Sequence, residues 1–329
     1  MSNTVKVAVL DDWQGIARAN ADWAKLEARA QVTFFQDAFA DENDAVEKLA
    51  NYEIVLSMRE RTPLPASLIN RLPKLQMLGM TGARNASLDT AACTARAIPV
   101  CNTQGAGYAD SATAELALGL LLAASRGIPR GDANIRAGKF QQQVPVGIGL
   151  AGKTMGLMGL GRLGGYMASY CRALRMEVIA WSTNLTAERA AECGVTLVSK
   201  DQLMSRSDAI SIHLVLSPRS RGLVGAADIA RMKPGAILIN TSRGPIVDAA
   251  ALLAALNEHR IVAALDVFDR EPLPADDPLR HAPNTVLMPH LGYGVQETWD
   301  GFYPQSLENA LAFLDGKPVR VTNPEILKA

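Results

Sequence analysis

Three polar residues in the second half of the chain, Arg243, Glu271 and His290, each come shortly after a run of apolar residues. An arginine guanidinium holds a carboxylate through two parallel hydrogen bonds, and a histidine exchanges a proton near neutral pH. A neighbouring carboxylate orients such a histidine. Together the three side chains supply what is needed to oxidise an alcohol group next to a carboxylate, provided that a cofactor accepts the hydride.

Each of these residues also has an ordinary structural explanation when it is taken singly. Arg243 fits a solvated loop arginine, Glu271 an exposed carboxylate before a proline, and His290 a hydrogen-bonded histidine at the end of a strand. The case for chemistry rests on the three occurring together, because loops at the carboxyl ends of parallel strands face the ligand crevice in doubly wound sheets.

A glycine-rich segment is the candidate cofactor site. The apolar run 154–158 leads directly into this segment, which opens a helical pattern: Gly159-Leu160-Gly161-Arg162-Leu163-Gly164. In a dinucleotide-binding turn the first glycine permits the tight turn, the second lets the backbone approach the pyrophosphate, and the third lets the helix lie close to its strand. We therefore predict dinucleotide binding, with the phosphates at the helix N-terminus. A plain structural turn is the alternative.

The end of the next predicted strand, 176–181, departs from the pattern expected for NAD. An acidic residue is expected there to hold the ribose hydroxyl groups, but Ser182 occupies the position. Loss of the carboxylate removes a repulsion against the 2′-phosphate of NADP. Residues 183–186 contain no arginine or lysine to bind that phosphate. The sequence therefore permits NAD or NADP, with a slight preference for NADP or for use of both.

Four motifs occur in an order and spacing that resemble the D-isomer-specific 2-hydroxyacid dehydrogenase family, over nearly the whole chain. They are the glycine turn, then Asn240-Thr241-Ser242-Arg243-Gly244, then Leu265-Asp266-Val267-Phe268 with Glu271-Pro272, and finally Pro289-His290. The resemblance implies a reversible reduction of a 2-keto acid to the D-2-hydroxy acid. It implies that His290 is the general acid/base, that Glu271 is its partner, and that Arg243 binds the substrate carboxylate and carbonyl.

The resemblance also implies cofactor contacts, a fold and an assembly. Asp266 would contact the nicotinamide carboxamide, and Thr241, Arg162 and Leu163 would contact other parts of the cofactor. The implied fold is α/β with two parallel-sheet βαβ domains, of which the larger is a Rossmann dinucleotide-binding domain and the smaller is flavodoxin-like. The family also implies a homodimer joined through the cofactor domains.

Two loops in the first part of the chain match the family's substrate-binding segments less closely. A loop after a predicted strand can hold a carboxylate with its backbone N–H groups, and it supplies the predicted substrate-binding residues Thr81, Gly82, Ala83 and Arg84. Arg84 stands where the family more often has glycine. Arg59 resembles the arginine of an Arg-Ser-x-Thr element in phosphoglycerate-type members. A solvated loop is the alternative for both arginines.

Some polar and aromatic positions have no firm assignment. Tyr293 replaces a smaller residue often found in the family and could narrow the cleft. His213 matches a strand end near the adenine side, although Val215 replaces the family's proline, and a hydrogen-bonded strand-end histidine is the favoured interpretation. We assign no role to His259 or His281. No group of histidines, cysteines and carboxylates has metal-ligand spacing, so no metal is expected.

The elements that must position these residues follow a βα rhythm, because short apolar runs alternate with helical patterns. The predicted strands are 5–10, 32–35, 54–58, 75–80, 154–158, 178–181, 209–214, 236–240, 263–267 and 285–288. A helix from Asp110 or Ser111 to about Arg126 is rich in Ala, Leu and Gly, and we expect it to be buried on all sides between two domains.

Glycine and proline residues interrupt or end the predicted helices in the remaining segments. Residues 127–152 are rich in Gly and Pro and are predicted to be an irregular surface passage. A helix over 296–314 should end before Gly316 and Pro318. Residues 319–321 are expected to pair with the first domain.

A length of 329 residues exceeds what one hydrophobic core usually holds, so we expect two domains. We assign residues 1–103 plus 297–329 to a substrate-binding domain and residues 104–296 to the dinucleotide domain. The active cleft is expected between them, and hinge closure on substrate is a hypothesis. The sequence ends at Ala329, soon after the last predicted strand, so we expect no appended regulatory domain.

The composition points to a small-molecule partner. The 33 basic residues balance 33 acidic ones, so no bulk charge favours nucleic acid or an anionic membrane. The longest apolar run, 116–124, is too short to span a bilayer, and no signal-peptide pattern precedes the first strand. The four cysteines are too widely spaced for a disulfide scaffold. Because disulfide scaffolds are typical of secreted proteins, we expect a cytoplasmic protein.

Two other classes of protein share parts of this pattern. A non-enzymatic sensor of the same fold would use NAD(H) occupancy to gate a protein interface, and the intact Arg–Glu–His set argues against it. If the chain were a methyltransferase with a similar glycine loop, the three later motifs would have no function. A nicotinamide absorbance assay with a panel of keto acids separates the enzyme from the sensor.

Overall fold

The computed structural model describes residues 4–105 and 109–328, and the chain divides into two units. Unit 1 comprises residues 1–109 and 294–329, and unit 2 comprises residues 110–293. The sequence places the domain boundaries at 103/104 and 296/297, and the assignment of substrate and cofactor roles to the two domains stays a prediction.

Unit 1 is built on a five-stranded parallel sheet with the order β2-β1-β3-β4-β5. Its strands are β1 Val5–Val9, β2 Ala30–Phe34, β3 Ile54–Ser57, β4 Met77–Met80 and β5 Val100–Cys101. Its first helices are α1 Ala24–Glu27, α2 Glu42–Leu49, α3 Ala66–Asn70 and α4 Thr90–Ala95. Strands β3 and β4 are buried throughout, as expected of a parallel sheet that is covered on both faces.

Unit 2 contains a seven-stranded parallel sheet with the order β12-β11-β10-β9-β6-β7-β8. Its strands are β6 Thr154–Met158, β7 Glu177–Trp181, β8 Thr196–Leu197, β9 Ala209–Ile212, β10 Ile237–Asn240, β11 Val262–Leu265 and β12 Thr285–Leu287. Its helices are α5 Ala112–Arg126, α6 Ile128–Arg136, α7 Arg162–Ala173, α8 Ala187–Glu192, α9 Lys200–Arg206, α10 Ala226–Arg231 and α11 Ala249–Asn257. This strand order is that of a dinucleotide-binding α/β sheet, so the predicted fold class is confirmed.

Two predictions about the segment before β6 are wrong. Residues 127–152 are not irregular throughout, because α6 forms there with Pro129 in its first turn, where a missing N–H costs nothing. Helix α5 is not buried on all sides. Ala114, Ala117 and Leu121 are buried and the helix packs on α7 and the β10–β12 side of the sheet, whereas Glu115 is exposed.

The C-terminal part of the chain, residues 294–329, belongs to unit 1. Helix α12 Gln296–Leu314 has the bounds expected from the sequence. Beyond it, Val321 forms an antiparallel bridge with Cys101 of β5, which confirms the expected pairing with the first sheet. Among the residues described, no helix combines the length and the apolar composition needed to cross a bilayer.

The ends of the other predicted strands differ from the structure by at most two residues, and β6 has the predicted bounds. The two-residue strands β5 and β8 were not predicted, because runs this short carry no periodic signal.

Candidate active site

The polar residues of unit 2 lie beyond one edge of its sheet. The strand register pairs Met158 with Ile212, Ile212 with Asn240, Asn240 with Leu265, and Leu265 with Leu287. The carboxyl ends of β6, β9, β10, β11 and β12 are therefore level. The glycine turn, the Arg243 loop, the Glu271 loop and His290 all follow strand ends at this edge.

Each glycine of the turn after β6 has a distinct surrounding. Gly159 has a φ of +99°, and a Cβ there would lie 2.5 Å from the His213 carbonyl oxygen. A Cβ on Gly164 would lie 2.2 Å from the Gly159 carbonyl oxygen, so α7 can approach its strand only with glycine at this position. A Cβ on Gly161 would meet no atom within 4 Å. A pyrophosphate that lies close to the backbone of the second glycine would need this open space.

Buried polar atoms beside the turn also fit a bound dinucleotide. Thr241 Oγ1 and His213 Nδ1 are buried and have no hydrogen-bond partner among the residues described. Burial lowers the pKa of His213 to about 4, and its Nε2 lies 2.9 Å from Ser211 Oγ, so the imidazole is neutral at neutral pH. These atoms and the N-terminus of α7 are suited to a nicotinamide dinucleotide.

The corner after β7 contains both the serine that replaces an acidic residue and a cation. Ser182 follows the last residue of β7 and is half-buried. Arg189, on α8, donates from Nε to the Leu160 carbonyl oxygen of the glycine turn at 3.3 Å and forms an ion pair with Glu192 at 3.0 Å. Arg189 was not predicted at this corner, because it lies on α8, beyond residues 183–186, where a cation for the 2′-phosphate is expected.

The other residues predicted at the turn differ in exposure. Arg162 is exposed, with its guanidinium 3.8 Å from the Asp110 carboxylate, and Leu163 is half-buried.

His290 and Glu271 are in direct contact. His290 Nδ1 lies 2.5 Å from Glu271 Oε2, and because a carboxylate only accepts, the imidazole donates. The other oxygen, Glu271 Oε1, accepts from the backbone N–H of Phe268 at 2.8 Å. The two side chains retain 21% and 27% of their exposure, so the pair is partly accessible. The ring nitrogen Nε2 of His290 is left to exchange a proton with a ligand.

Asp266 holds the segment that follows the histidine. The side chain is fully buried at the end of β11, and its two oxygens accept from the backbone N–H groups of Leu291 and Gly292 at 2.7 and 2.8 Å. Burial raises the pKa of the Asp266 carboxyl above its ordinary range. His290 has a φ of +54°, a conformation that few residues other than glycine adopt. Asp266 thus fixes the backbone that holds the imidazole in place.

The Arg243 loop is fixed by neighbouring side chains. Asn240 is buried, donates from Nδ2 to the Arg243 carbonyl oxygen at 2.9 Å and accepts from the Ser242 N–H at 3.0 Å. Ser242 Oγ donates to the Ile212 carbonyl oxygen at 2.7 Å. The half-buried Arg243 side chain therefore extends from an ordered backbone, and its predicted binding of a planar carboxylate stays a prediction.

Two glycines around these residues had no predicted role. A Cβ on Gly244 would lie 2.1 Å from the Phe268 carbonyl carbon, so this glycine lets the Arg243 loop pack against the Glu271 loop. A Cβ on Gly292 would lie 3.0 Å from Asp266 Oδ2. No sequence signal distinguishes these close contacts from ordinary loop glycines. Tyr293 lies edge-on to the His290 ring, with centroids 6.0 Å apart.

In unit 1, the structure brings Arg59 together with the loop after β4. The Arg59 N–H donates to Thr81 Oγ1 at 2.8 Å, and a Cβ on Gly82 would lie 1.9 Å from the Arg59 guanidinium. Arg59 has a φ of +51°. The guanidinium thus lies over the backbone of the predicted carboxylate-binding loop, whereas Ala83 and Arg84 are exposed.

Comparisons with known proteins match this chain to one family of dehydrogenases. The family model described as "D-isomer specific 2-hydroxyacid dehydrogenase, NAD binding domain" matches residues 118–292, which is more than half of the chain. A structure described as a putative D-3-phosphoglycerate dehydrogenase from Ralstonia solanacearum superposes with a TM-score of 0.89 at 34% identity, covering 98% of each chain.

Two curated relatives differ in how much of their own length is matched by this chain. The D-3-phosphoglycerate dehydrogenase of Archaeoglobus fulgidus is 36% identical over 278 residues, which are 84% of this chain and 52% of the relative, so the chain spans about half the length of that protein. The glyoxylate reductase of Korarchaeum cryptofilum is 32% identical over 312 residues, 93% of each protein. The chain belongs to the D-isomer-specific 2-hydroxyacid dehydrogenase family.

Proposed function

We propose that this protein reduces a small 2-keto acid to the D-2-hydroxy acid, and catalyses the reverse oxidation, with a nicotinamide cofactor. The observation that carries the proposal is the hydrogen bond between His290 Nδ1 and Glu271 Oε2 at the sheet edge that also holds the glycine turn. When bound, the reduced nicotinamide supplies the hydride.

Proton transfer, orientation of the imidazole and substrate binding are assigned to His290, Glu271 and Arg243, respectively. His290 gives a proton from Nε2 to the carbonyl oxygen as that oxygen becomes an alcohol, and takes it back in the oxidation. Glu271 keeps Nδ1 as the donor and so directs Nε2 toward the substrate. Arg243 binds the substrate carboxylate and carbonyl through its planar fork of N–H groups. Asp266 would also contact the nicotinamide carboxamide, since a carboxylate has room for more than two donors.

The substrate carboxylate is further bound, in this proposal, by the unit 1 residues Arg59, Thr81, Gly82, Ala83 and Arg84. The contact between the Arg59 guanidinium and Gly82 supports placing a cation and backbone N–H groups together. Tyr293 would limit the size of the substrate, which fits a short 2-keto acid.

We propose that the site accepts both NAD and NADP, with a slight preference for NADP. Ser182 stands in place of an acidic residue whose carboxylate would repel a 2′-phosphate. Arg189 adds a cation at the glycine turn. Titration with NADH and NADPH tests this. Arg189→Gln should weaken NADPH binding more than NADH binding, and equal losses would show that Arg189 serves both cofactors alike.

The test of the activity is the loss of nicotinamide absorbance with a panel of 2-keto acids. His290→Ala should abolish turnover and leave cofactor affinity nearly unchanged. The matched control is His259→Ala, at an exposed histidine of unit 2, which should turn over like the parent. A His290→Ala variant within a few fold of the parent would discard the assigned acid/base. Cofactor binding without turnover of any 2-keto acid would favour the cofactor-gated binding protein.

A further inference from the structure

The first turn of α7 combines two features that favour a bound anion. Gly161 is the N-cap residue, and no side chain of the described residues caps the helix. The first turn begins with Arg162 and contains no acidic residue. The N–H groups at the start of the helix and the Arg162 guanidinium are therefore both suited to an anion such as a pyrophosphate.

Asp110 brings a carboxylate to this turn from another part of unit 2. It lies two residues before α5, which packs on α7. Its Oδ2 accepts from the Tyr166 hydroxyl at 2.9 Å and lies 3.8 Å from Arg162 Nη1. Because Arg162 and Tyr166 are four residues apart in the helix, they lie on one face of it. A single carboxylate oxygen is thus shared between two side chains at the start of α7.

Tyr166 fixes the position of the Asp110 carboxylate, whereas the ion pair with Arg162 is open to water. The hydrogen bond to Asp110 raises the pKa of Tyr166, as expected for a negatively charged acceptor. The side chains of Arg162 and Asp110 retain 67% and 41% of their exposure. Ion pairs this exposed are weak and are screened by salt, so an anionic ligand can compete for the arginine.

The second arginine at the glycine turn is held differently. Arg189 donates from Nε to the Leu160 carbonyl oxygen and also pairs with Glu192, so it is attached to the turn itself. Among the residues described, Arg162 has no hydrogen bond to the backbone, and its guanidinium pairs with Asp110. The Asp110 carboxylate therefore decides where the Arg162 charge lies before a ligand binds.

We propose that Asp110 is a positioning residue that limits cofactor affinity by competing with the cofactor pyrophosphate for Arg162. Each contact that Arg162 makes with the phosphates weakens its attraction to Asp110, so part of the binding free energy is lost. Weaker binding favours the exchange of oxidised for reduced cofactor. The proposal goes beyond the proposed reaction, because it concerns binding alone, and it rests on a cofactor at the glycine turn.

The experiment measures the Kd of NADH and of ADP-ribose, which carries the pyrophosphate without the nicotinamide, by isothermal titration calorimetry. Asp110→Asn keeps an acceptor for the Tyr166 hydroxyl and removes the charge. At low salt it should lower both Kd values about three- to fivefold, the range expected for an exposed ion pair. In about 1 M KCl the parent and the variant should have equal Kd values, because exposed charges are screened there.

Two further variants identify the partner and the place of the charge. In the Arg162→Gln background the cation is missing, so adding Asp110→Asn should leave both Kd values within about 1.5-fold. The matched control is Asp201→Asn in unit 2. Asp201 on α9 pairs with Arg231 on α10, also at 3.8 Å and also exposed, but away from the glycine turn. It should bind both ligands like the parent.

The outcomes separate this role of Asp110 from the proposed reaction. An Asp110→Asn variant that binds both ligands like the parent, or more weakly, at low salt overturns the role and leaves the reaction untouched. A gain of affinity that persists in the Arg162→Gln background or at high salt also overturns it, because the gain would not arise from this ion pair. A parent that binds neither ligand overturns both proposals. The expected gain in a protein that reduces no 2-keto acid supports the role of Asp110 and refutes only the reaction.

Discussion

At the scale of single residues, the proposed catalysis depends on the fixed orientation of the Glu271 side chain. One carboxylate oxygen accepts from the Phe268 N–H and the other from His290 Nδ1, so the side chain has little freedom to turn. An imidazole that donates Nδ1–H to a fixed carboxylate has one ring nitrogen available for the substrate. In the proposed reaction, Glu271 would therefore act on the orientation and tautomer of His290 rather than on the substrate itself.

We predict that Glu271→Gln lowers kcat for keto-acid reduction by about 10²-fold or more and leaves the Kd for NADH within about twofold. The amide can still accept from Phe268, but it no longer offers a negative charge to the imidazole. Stopped-flow absorbance and fluorescence titration measure the two quantities. Glu258→Gln, at an exposed glutamate after α11, is the control. A kcat near that of the parent would remove Glu271 from the mechanism.

Asp11 allows a residue-scale prediction about stability and pH. Its pKa is raised from 3.8 to about 6 by burial, so the native state holds this proton more tightly than the unfolded chain does. The stability that this carboxyl contributes is full below about pH 4 and is lost as pH rises through 6. The raised pKa corresponds to a loss of about 3 kcal/mol.

We expect Asp11→Asn to abolish that pH dependence. Between pH 4 and 7 the free energy of unfolding of the parent should fall by up to about 3 kcal/mol relative to the variant. Urea unfolding followed by tryptophan fluorescence measures this, since Trp13, Trp23 and Trp299 all belong to unit 1. Parallel pH curves for the two proteins would mean that Asp11 does not titrate as its burial implies.

At the scale of elements, adjacent strands bring together loops that are far apart in sequence. Gly244 follows β10 and Phe268 follows β11, and the pairing of these strands sets the two loops against each other. The absence of a side chain at Gly244 allows the backbone of residues 268–269 to approach closely. The position of the loop that carries Glu271 therefore depends on the absence of a side chain at Gly244.

We predict that Gly244→Ala lowers kcat about 10²-fold, because the new Cβ would displace the loop that carries Glu271. Cofactor affinity should change less than kcat, since the glycine turn after β6 is untouched. Gly119→Ala is the control, because a Cβ there meets no atom within 4 Å and alanine favours the helix α5. Unchanged kcat in Gly244→Ala would show that the two loops move independently.

Local motifs could be predicted from the sequence, whereas contacts between distant loops could not. The glycine turn and the strand before it were predicted because each glycine has a task that only this residue type performs. The anchoring of Leu291 and Gly292 by Asp266 was not predicted, because it joins loops from two different strands. Helix α6 was missed because Pro129 and Gly131 resemble loop residues, and only its place in the first turn makes the proline compatible with a helix.

At the scale of the whole molecule, both sheets follow one rule. Each is parallel, and each places polar side chains beyond its carboxyl edge near the reversal of strand order. In unit 2 that edge holds the glycine turn and His213, and in unit 1 it holds Asp11 and Arg59. The even charge balance of 33 basic and 33 acidic residues leaves recognition to these local groups.

One segment of unit 2 exposes several large apolar side chains. The segment from α6 to residue 148 exposes Ile128, Ile135, Phe140, Val146 and Ile148, of which Phe140 retains 66% and Val146 97% of its exposure. Clustered exposed apolar side chains mark association surfaces in globular proteins. We propose that a second copy of this chain covers them, in the homodimer that the family resemblance implies.

We predict that the parent protein sediments as a homodimer of about 70 kDa, twice the chain mass of 35.1 kDa, and that Phe140→Asp with Val146→Asp shifts it to the monomer. Introduced carboxylates would have to be desolvated at the interface, whereas in the monomer they face water. Val215→Asp is the matched control, because Val215 is 85% exposed on unit 2 but lies outside this segment. Analytical ultracentrifugation over a concentration series measures the masses. A monomeric parent, or a double variant that remains dimeric, would place the dimer surface elsewhere or remove it.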